Sequence, residues 1–314
     1  METSMSFQEL TDKMTNLYHA GDYASALDVV EQYAGRFPEL SSRTTFWRMC
    51  LLSLCGRTDE VISVFQQGLD SGLWWAQSRF QDTDLDAVRD LPEFKRLMEI
   101  SQEKYQAVRM RIERDQTVLL PDPPAPGLYP LLIALHGGGG NKDSNLEYWE
   151  AARQKGWLVL SPQSTQPVDP SAYCWDQPEP GLADILFYVE KISQKYPIDT
   201  QRVVIAGFSQ GSGMAIYSAL SGEINARGFI AIGTYFADPS SLLPLATHAK
   251  SVRGYFITGE KDRTLEKARE IQNILKVSNV QFGEEVHRDL GHEFPPHFEE
   301  SFDKAIDFIF KERE

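Results

Sequence analysis

Cysteine is scarce in this sequence, and long apolar runs are missing from it. The three cysteines are Cys50, Cys55 and Cys174, an odd number with no spacing that marks a disulfide framework, which is typical of a reducing compartment. No stretch of 18 apolar residues occurs, so no transmembrane helix is expected, and the first 20 residues contain no apolar run of signal-peptide length. These absences predict a cytoplasmic protein without a membrane span.

Positive charge is also in short supply. The chain has 31 lysines and arginines against 45 aspartates and glutamates, which gives a net charge of −14. Nucleic-acid binding needs a basic face and anionic lipid surfaces attract basic segments, so neither partner is expected. The hydrophobic fraction of 42% and the charged fraction of 24% are ordinary for a soluble globular protein, and 314 residues are enough for two domains.

Residues 1–105 follow a helical pattern. Apolar residues recur at spacings of three and four, and a helix–turn–helix pattern appears twice, with turn glycines Gly21 and Gly56 lying 35 residues apart. This spacing and the sequence GDYASAL resemble tetratricopeptide repeats over about residues 1–75. With 76–105 as a closing helical segment, the first domain is predicted to be a small all-α, tetratricopeptide-like domain of residues 1–105.

From residue 106 to residue 314, short apolar runs alternate with amphipathic stretches. The predicted strands are 131–136, 157–161, 202–208, 228–235, 253–259 and 279–287, and the predicted helices are 143–155, 182–196, 210–222, 264–276 and 298–312. Several runs are apolar on both faces, as buried parallel strands are, and the alternation is typical of a doubly wound sheet. Residues 107–120 are expected to add an antiparallel pair of strands before this sheet.

A G-x-S-x-G sequence, Gly207-Phe208-Ser209-Gln210-Gly211, lies between a predicted strand and a predicted helix. Such a tight turn presents the serine at the carboxyl end of its strand, and crowding of the backbones there requires the flanking glycines. The N-terminus of the following helix favours negative charge near the serine. Ser209 is therefore the predicted nucleophile, the alternative being a structural serine in a chance match to a short pattern.

Four consecutive glycines, Gly137–Gly140, follow the predicted strand 131–136 in the sequence HGGGGNKD. Without side chains, their amides can face a ligand, as in an oxyanion hole that also uses the amide of the residue after the nucleophile. The predicted donors are Gly138 or Gly139, together with Gln210. A flexible linker or a nucleotide-binding loop is the alternative, but the phosphate-binding sequence G-x-x-x-x-G-K-[ST] is not matched.

Asp262 and His292 are the predicted partners of Ser209. Asp262 follows a predicted strand in the sequence TGEKD, where Glu260 is the competing carboxylate. His292 lies in a glycine-flanked loop after the last predicted strand, and His287 at the end of that strand is the runner-up. The chain order serine, aspartate, histidine is that of hydrolases with a nucleophile elbow.

A zinc site is not expected, although His292, Glu293 and His297 superficially resemble a metalloprotease motif. That motif needs two histidines four positions apart on one helix, whereas these are five apart with Pro295 and Pro296 between them, and the prolines disfavour a helix. No metal and no other cofactor is therefore predicted.

Tyr173, Trp175 and Asp176 are predicted to contact substrate. They lie in the turn-rich sequence SAYCWDQPEPG, between the second core strand and the helix before Ser209. Loops in this position emerge at the carboxyl edge of the sheet, where ligands bind. The alternative for Trp175 is a role in packing.

The sequences HGGGGN, GFSQG, TGEKD and GHEFP occur in the order and spacing of α/β-hydrolase-fold serine esterases. Over about residues 120–314 the sequence resembles their phospholipase/carboxylesterase and dienelactone-hydrolase-like branch, of which YPIDTQRVVIAGFSQG is especially typical. The resemblance implies the α/β-hydrolase fold, with its mostly parallel doubly wound sheet, and a metal-free serine esterase that forms a covalent acyl-enzyme. Because no long insertion for a lid is apparent, small or short-chain esters are the expected substrates.

The expected activity is therefore that of a serine carboxylesterase-type hydrolase acting on a small-molecule ester. A thioesterase or a peptidase with the same triad is the alternative, because the leaving group is read by the shape of the pocket. A non-catalytic peptide-binding adaptor is the alternative from another class, and the presence of both Ser209 and His292 disfavours it.

The segment GLWWAQSRF concentrates Leu73, Trp74, Trp75 and Phe80 in the last part of the helical region. A short helical array is expected to leave part of this apolar surface unburied. The helical region is therefore predicted either to cap the second domain or to form a homodimer contact.

Overall fold

The computed structural model describes residues 5–124 and 127–311. The chain divides into two compact units, which we call the helical unit, Met1–Ile112 with Pro167–Ala172, and the sheet unit, Glu113–Gln166 with Tyr173–Glu314. None of the described helices combines the length and the apolar character that a membrane crossing requires.

The helical unit consists of two helical hairpins followed by a fifth helix. Its helices are α1 (Phe7–His19), α2 (Tyr23–Tyr33), α3 (Ser41–Leu54), α4 (Thr58–Asp70) and α5 (Pro92–Arg109), with short 3₁₀ turns at Ala34–Arg36, Pro38–Leu40, Gln77–Gln81 and Thr83–Leu85. The turn glycines Gly21 and Gly56 have φ angles of 75° and 72°, a left-handed conformation that side chains disfavour. The hairpins thus follow the predicted spacing, while their tetratricopeptide character stays a prediction.

The aromatic side chains near the end of the helical region are buried within the helical unit itself. Trp75 and Phe80 belong to one apolar cluster with Phe65 and Phe94, and the ring centroids of Phe65 lie 5.7 Å from Trp75 and 5.2 Å from Phe80. Trp75 and Phe80 are therefore not part of a surplus that needs a second domain or subunit, while the cap or homodimer contact stays a prediction. The closing segment supplies the missing layer, because Phe94 on α5 covers Phe65 and Phe80.

A short stretch of the later sequence belongs to the helical unit as well. Asp169 is 1% exposed, and its Oδ1 accepts hydrogen bonds from the hydroxyls of Ser42 at 2.8 Å and Ser171 at 3.0 Å and from the amide of Ser171. A buried carboxylate needs such donors, so these bonds stabilise residues 167–172 within this unit.

A seven-stranded sheet organises the second unit. Its strands are β1 (Gln116–Leu119), β2 (Tyr129–Leu135), β3 (Leu158–Pro162), β6 (Ile198–Phe208), β7 (Gly228–Ile232), β8 (Arg253–Gly259) and β9 (Gln281–His287), while β4 (Pro167–Asp169) and β5 (Ala172–Tyr173) form a separate small pair. The strand order is β1-β3-β2-β6-β7-β8-β9. Only β1 runs antiparallel to its neighbour, and the other five pairings are parallel.

Helices cover both faces of this sheet, as the alternation of strands and helices predicts. They are α6 (Leu146–Gln154), α7 (Pro178–Lys195), α8 (Gln210–Ser221), α9 (Leu243–Ala246), α10 (Leu265–Val277) and α11 (Phe298–Phe310), with a 3₁₀ turn at Pro239–Leu242. Alternate residues of β2 enter different cores: Leu131 and Ile133 pack with residues of α7, α8 and α10, and Leu132 packs with residues of α6 and α11. The doubly wound α/β architecture is confirmed.

The segment that leads into the sheet differs from its prediction. Residues 107–120 form a single strand, β1, and not an antiparallel pair, because α5 continues to Arg109. Glutamine, glutamate, lysine, alanine and arginine, which favour helix, predominate in its last turns. The boundary between the units falls after Ile112, whereas the sequence places it after residue 105, inside this helix.

Candidate active site

Ser209 lies on a strained turn between β6 and α8. Its φ and ψ angles are 54° and −121°. For any residue other than glycine, this conformation is unfavourable by about 1–3 kcal/mol. The neighbouring glycines are sterically required. A Cβ atom on Gly207 would lie 2.3 Å from the carbonyl carbon of Gly211, and one on Gly211 would lie 2.3 Å from the carbonyl oxygen of His136. The turn therefore exposes the Ser209 hydroxyl only because both glycines allow the backbones to approach.

His292 connects Ser209 to Asp262. The Nε2 atom of His292 lies 2.9 Å from Ser209 Oγ, and Nδ1 lies 2.9 Å and 3.1 Å from the two carboxylate oxygens of Asp262. An ionised carboxylate only accepts hydrogen bonds, so Nδ1 carries the proton and Nε2 is left to accept the proton of Ser209. The three side chains that the sequence singled out thus lie in one hydrogen-bonded line.

The Asp262 carboxylate is buried but well supplied with donors. Its side chain is 1% exposed, and Oδ1 accepts hydrogen bonds from the Thr264 amide at 2.7 Å and the Thr264 hydroxyl at 2.8 Å. Burial acts to raise the pKa of Asp262, but the hydrogen bonds from His292 and Thr264 outweigh it and lower this pKa below its usual value. Asp262 is therefore an anion beside the imidazole at neutral pH.

The competing candidates do not join this line of side chains within the described residues. Glu260 is exposed, and its backbone amide donates to the carbonyl oxygen of His287. The Nε2 atom of His287 lies 3.3 Å from an oxygen of Glu285. These contacts belong to the end of β9.

Gly233, directly after β7, contacts the histidine–aspartate pair and was not singled out by the sequence. Its φ angle is 53°, and a Cβ atom there would lie 3.1 Å from Asp262 Oδ2 and 3.2 Å from His292 Nδ1. Such contacts are tighter than side chains normally tolerate. The signal available in the sequence is a glycine inside the predicted strand 228–235, since a glycine within a strand often marks the close approach of another group.

An aromatic stack holds the His292 ring from the side. The Phe208 ring lies 4.8 Å from that of His292 and 5.1 Å from that of Phe294, and Phe294 stacks on Tyr148 of α6 at 4.0 Å. Because Phe208 directly precedes Ser209, the same stack fixes the nucleophile turn and the imidazole. The His292 side chain remains 15% exposed.

In the glycine loop after β2, two amides are bound to carbonyl oxygens. The Gly139 amide donates to the carbonyl oxygen of Tyr173 at 2.8 Å, and the Gly140 amide donates to that of Gly137 at 3.0 Å. Between residues 127 and 311, neither the Gly138 amide nor that of Gln210, the first residue of α8, has a hydrogen-bond acceptor. Of the two glycines that the sequence leaves open, Gly138 is therefore the one available to an oxyanion.

His136 supports the start of this loop. It is fully buried, and burial lowers its pKa to about 4 even though a hydrogen bond with Gly137 opposes the shift. The neutral ring donates from Nδ1 to the carbonyl oxygen of Gly137 at 2.9 Å and accepts at Nε2 from the amide of Ser164 at 3.4 Å. This histidine thus fixes the glycine loop and carries no charge near neutral pH.

The three residues predicted to contact substrate have different surroundings. Trp175 is 2% exposed, and its Nε1 donates to the carbonyl oxygen of His136 at 2.9 Å, so it packs against the start of the glycine loop, while its contact with substrate stays a prediction. Tyr173 pairs with Gly140 through the backbone. Asp176 is exposed and accepts a hydrogen bond from the Gln210 side chain.

Replacing Trp175 with alanine is expected to cost mainly stability. A buried tryptophan truncated to alanine typically loses about 3–5 kcal/mol of the free energy of unfolding, and here the hydrogen bond to His136 is lost as well. Thermal unfolding together with initial rates on a series of esters of increasing acyl length separates the two roles. An unchanged melting temperature with a shifted chain-length preference would return Trp175 to the substrate pocket.

Two groups of residues bear on metal binding. His292 uses both ring nitrogens for Asp262 and Ser209, and the His297 side chain is 76% exposed, so the pair does not converge on one ion. In the helical unit, donor atoms of Cys50, Asp82 and Asp84 lie within 4.8 Å of one another. However, burial raises the pKa of the Cys50 thiol well above its usual value, which opposes the thiolate that a metal requires.

Two parts of the sequence match known families. Residues 183–311 match the family described as Phospholipase/Carboxylesterase, and this range includes Ser209, Asp262 and His292. Residues 6–109, which span the five helices of the helical unit, match the family described as A/B hydrolase-like, N-terminal domain. No curated protein is similar enough in sequence to match.

Solved structures share the fold at low sequence identity. An uncharacterized protein from Bacillus cereus ATCC 10987 is 22% identical with a TM-score of 0.55, over 98% of this chain and 99% of its own. Esterase PE8 is 15% identical with a TM-score of 0.51, over 62% of this chain and 97% of its own. The S-formylglutathione hydrolase from Staphylococcus aureus is 16% identical with a TM-score of 0.52, over 64% of this chain and 92% of its own.

Proposed function

Because residues 183–311 belong to the phospholipase/carboxylesterase family and residues 6–109 to the A/B hydrolase-like N-terminal domain, we propose that this hydrolase of the esterase type cleaves carboxylic esters through a covalent acyl-enzyme on Ser209. The observation that carries the proposal is the unbroken line of hydrogen bonds from Ser209 Oγ through His292 to Asp262. Small or short-chain esters of carboxylic acids are the proposed substrates.

Attack on the ester begins with a proton transfer from Ser209 to His292. The 2.9 Å separation of Oγ and Nε2 is within the reach of a general base. As Oγ bonds to the ester carbonyl carbon, the imidazole becomes positively charged, and the Asp262 carboxylate stabilises that charge and keeps the proton on Nδ1. The lowered pKa of Asp262 keeps this carboxylate ionised throughout.

The negative charge that develops on the carbonyl oxygen is bound by the amides of Gly138 and Gln210. Both amides lack an acceptor within the described sheet unit, and that of Gln210 also lies at the N-terminus of α8, where the helix dipole is positive. A backbone donor of this kind contributes about 3 kcal/mol to stabilising the transition state. The tetrahedral intermediate then expels the alcohol, which takes the proton from His292.

Deacylation repeats the same steps with water. His292 removes a proton from a water molecule, the hydroxide attacks the acyl carbonyl, and collapse of the second tetrahedral intermediate returns the proton to Ser209 and releases the carboxylic acid. Side chains and amides of this chain fill every role in the scheme.

A fluorophosphonate probe tests the proposal directly. The probe is expected to form one covalent adduct per chain at Ser209, located by peptide mass spectrometry, because an activated serine attacks phosphorus as it attacks a carbonyl. Heat-denatured protein is the control and should remain unlabelled. Native protein that takes up no probe would favour a non-catalytic adaptor, and labelling at a different serine would move the site.

Turnover of substrates that differ only in the leaving group tests whether the enzyme prefers esters, thioesters or amides. With one short acyl chain offered as an oxygen ester, as a thioester and as an anilide, the oxygen ester is expected to give the highest kcat/KM. A preference for the thioester or the anilide would replace ester hydrolysis by thioesterase or peptidase activity with the same triad.

A further inference from the structure

The two amide donors of the proposed oxyanion hole belong to segments that are distant in sequence. Gly138 lies in the loop after β2, and Gln210 begins α8. For both amides to bind one oxygen atom, their separation must be fixed within a fraction of an ångström. A third segment, Tyr173–Asp176, makes hydrogen bonds to the glycine loop and to the side chain of Gln210.

The side chain of Gln210 makes two directional hydrogen bonds to this third segment. Its Oε1 accepts from the backbone amide of Trp175 at 2.8 Å, and its Nε2 donates to Asp176 Oδ1 at 2.5 Å. A backbone amide can only donate and a carboxylate can only accept, so the two partners dictate which way the carboxamide faces. A neutral side chain that both accepts and donates is required at position 210.

The same carboxamide lies directly against the oxyanion loop. A Cβ atom on Gly138 would be 3.0 Å from Gln210 Oε1 and 3.7 Å from Gln210 Cβ. The Gln210 side chain therefore packs on the α-carbon whose amide is the other donor. A side chain at 138 would push the Gln210 carboxamide by a few tenths of an ångström.

The third segment also fixes the far end of the glycine loop. The Tyr173 amide donates to the carbonyl oxygen of Gly140 at 2.8 Å, and the Gly139 amide donates to that of Tyr173 at 2.8 Å. The Cys174 thiol lies 3.2 Å from Asp176 Oδ2 and 3.3 Å from the carbonyl oxygen of Gln166, and its one proton can go to either. The hydrogen bonds thus close a ring that runs from Gln210 through Asp176 and Tyr173 to the glycine loop.

We propose that the Gln210 side chain, anchored by Asp176, is a positioning element that sets the distance between the two oxyanion donors. The inference rests on the proposed function, since it assigns a role in that same oxyanion hole. Neither side chain touches the reacting atoms. The transition state depends on the donor spacing more than the bound ester does, so loss of the ring lowers kcat and changes KM little.

Exchange of the amide and the carboxylate provides the sharpest test. Gln210→Glu places two carboxylates against each other, and kcat is expected to fall about tenfold or more. Asp176→Asn alone keeps an acceptor oxygen for Gln210 and is expected to lower kcat less than Gln210→Glu does. The double variant Gln210→Glu with Asp176→Asn restores one donor and one acceptor in reversed order, and is expected to recover most of the lost kcat.

Two further measurements separate positioning from charge and from general destabilisation. Gln210→Met removes both hydrogen bonds without adding charge. We expect it to lower kcat at nearly constant KM. We expect it to weaken the binding of a trifluoromethyl ketone inhibitor by a similar factor, because the adduct of this inhibitor carries an oxyanion. Melting temperatures are recorded for every variant. Wild-type kcat in Gln210→Met, absence of recovery in the double variant, or a kcat loss matched by a loss of folded protein would each overturn the proposal. A wild-type protein that turns over no ester, thioester or anilide would instead overturn the proposed function.

Discussion

Replacing Ser209 with alanine is expected to reduce ester hydrolysis by about 10³-fold or more while the protein remains folded. Alanine keeps the Cβ atom and therefore the same backbone strain at a φ angle of 54°, but it has no oxygen for His292 to activate. Initial rates on short-chain p-nitrophenyl esters, together with the melting temperature, measure the two quantities. Retention of more than a few per cent of the wild-type rate would remove Ser209 as the nucleophile.

Ser221→Ala is a suitable control for this variant. Ser221 lies at the other end of α8, and its hydroxyl donates only to the carbonyl oxygen of Ser218 at 2.8 Å. The same chemical change in the same helix should therefore leave turnover within about twofold of wild type. Equal losses in both variants would indicate a general effect on the helix.

The second large effect is expected from the histidine–aspartate pair. His292→Ala removes the base and should abolish measurable turnover. Asp262→Asn should lower kcat by up to about 10⁴-fold. An amide that donates to Nδ1 places the ring proton on Nε2, which then has no lone pair to accept the proton of Ser209. Steady-state rates on the same esters, at matched folded fractions, measure both losses.

His287→Ala and Glu260→Gln are the matched controls for the pair. Both residues lie within a few positions of their counterparts in the chain, and neither is hydrogen bonded to Ser209 in the described structure. Each is expected to retain most of the wild-type rate. If either control were more damaging than its counterpart, the assignment of base or acid would have to change.

The sequence was sufficient for the sheet and for the candidate triad because both depend on short-range patterns. Continuous apolar character predicts strands such as 131–136 and 253–259. A serine flanked by glycines at a strand–helix junction is typical of a nucleophile elbow. The predicted partners follow from their positions after predicted strands and from the chain order serine, aspartate, histidine. In the structure, the distances from His292 to Ser209 and Asp262 are those of hydrogen bonds.

Other features depend on contacts between distant residues, and the sequence did not contain them in readable form. Gly138 and Gly139 look equivalent until Tyr173 is seen to accept a hydrogen bond from the second. Trp175 is a core residue because His136 and the glycine loop lie over it. Gly233 matters only because β7 ends beside His292 and Asp262. Each of these features depends on packing between residues that are tens of positions apart, and local secondary-structure propensity does not predict such contacts.

The discontinuous helical unit has a consequence for the order of events during synthesis. Its five helices are translated before the strands of the sheet, yet the unit is complete only when Pro167–Ala172 has been added. The hydrogen bond that joins Ser42 to the buried Asp169 spans 127 positions, and long-range contacts of this kind form late and slowly. The contacts between the five helices and residues 167–172 therefore form only after the strands β1 to β3 have been translated. Completion of the helical unit therefore depends on a six-residue stretch that is translated in the middle of the sheet unit's sequence.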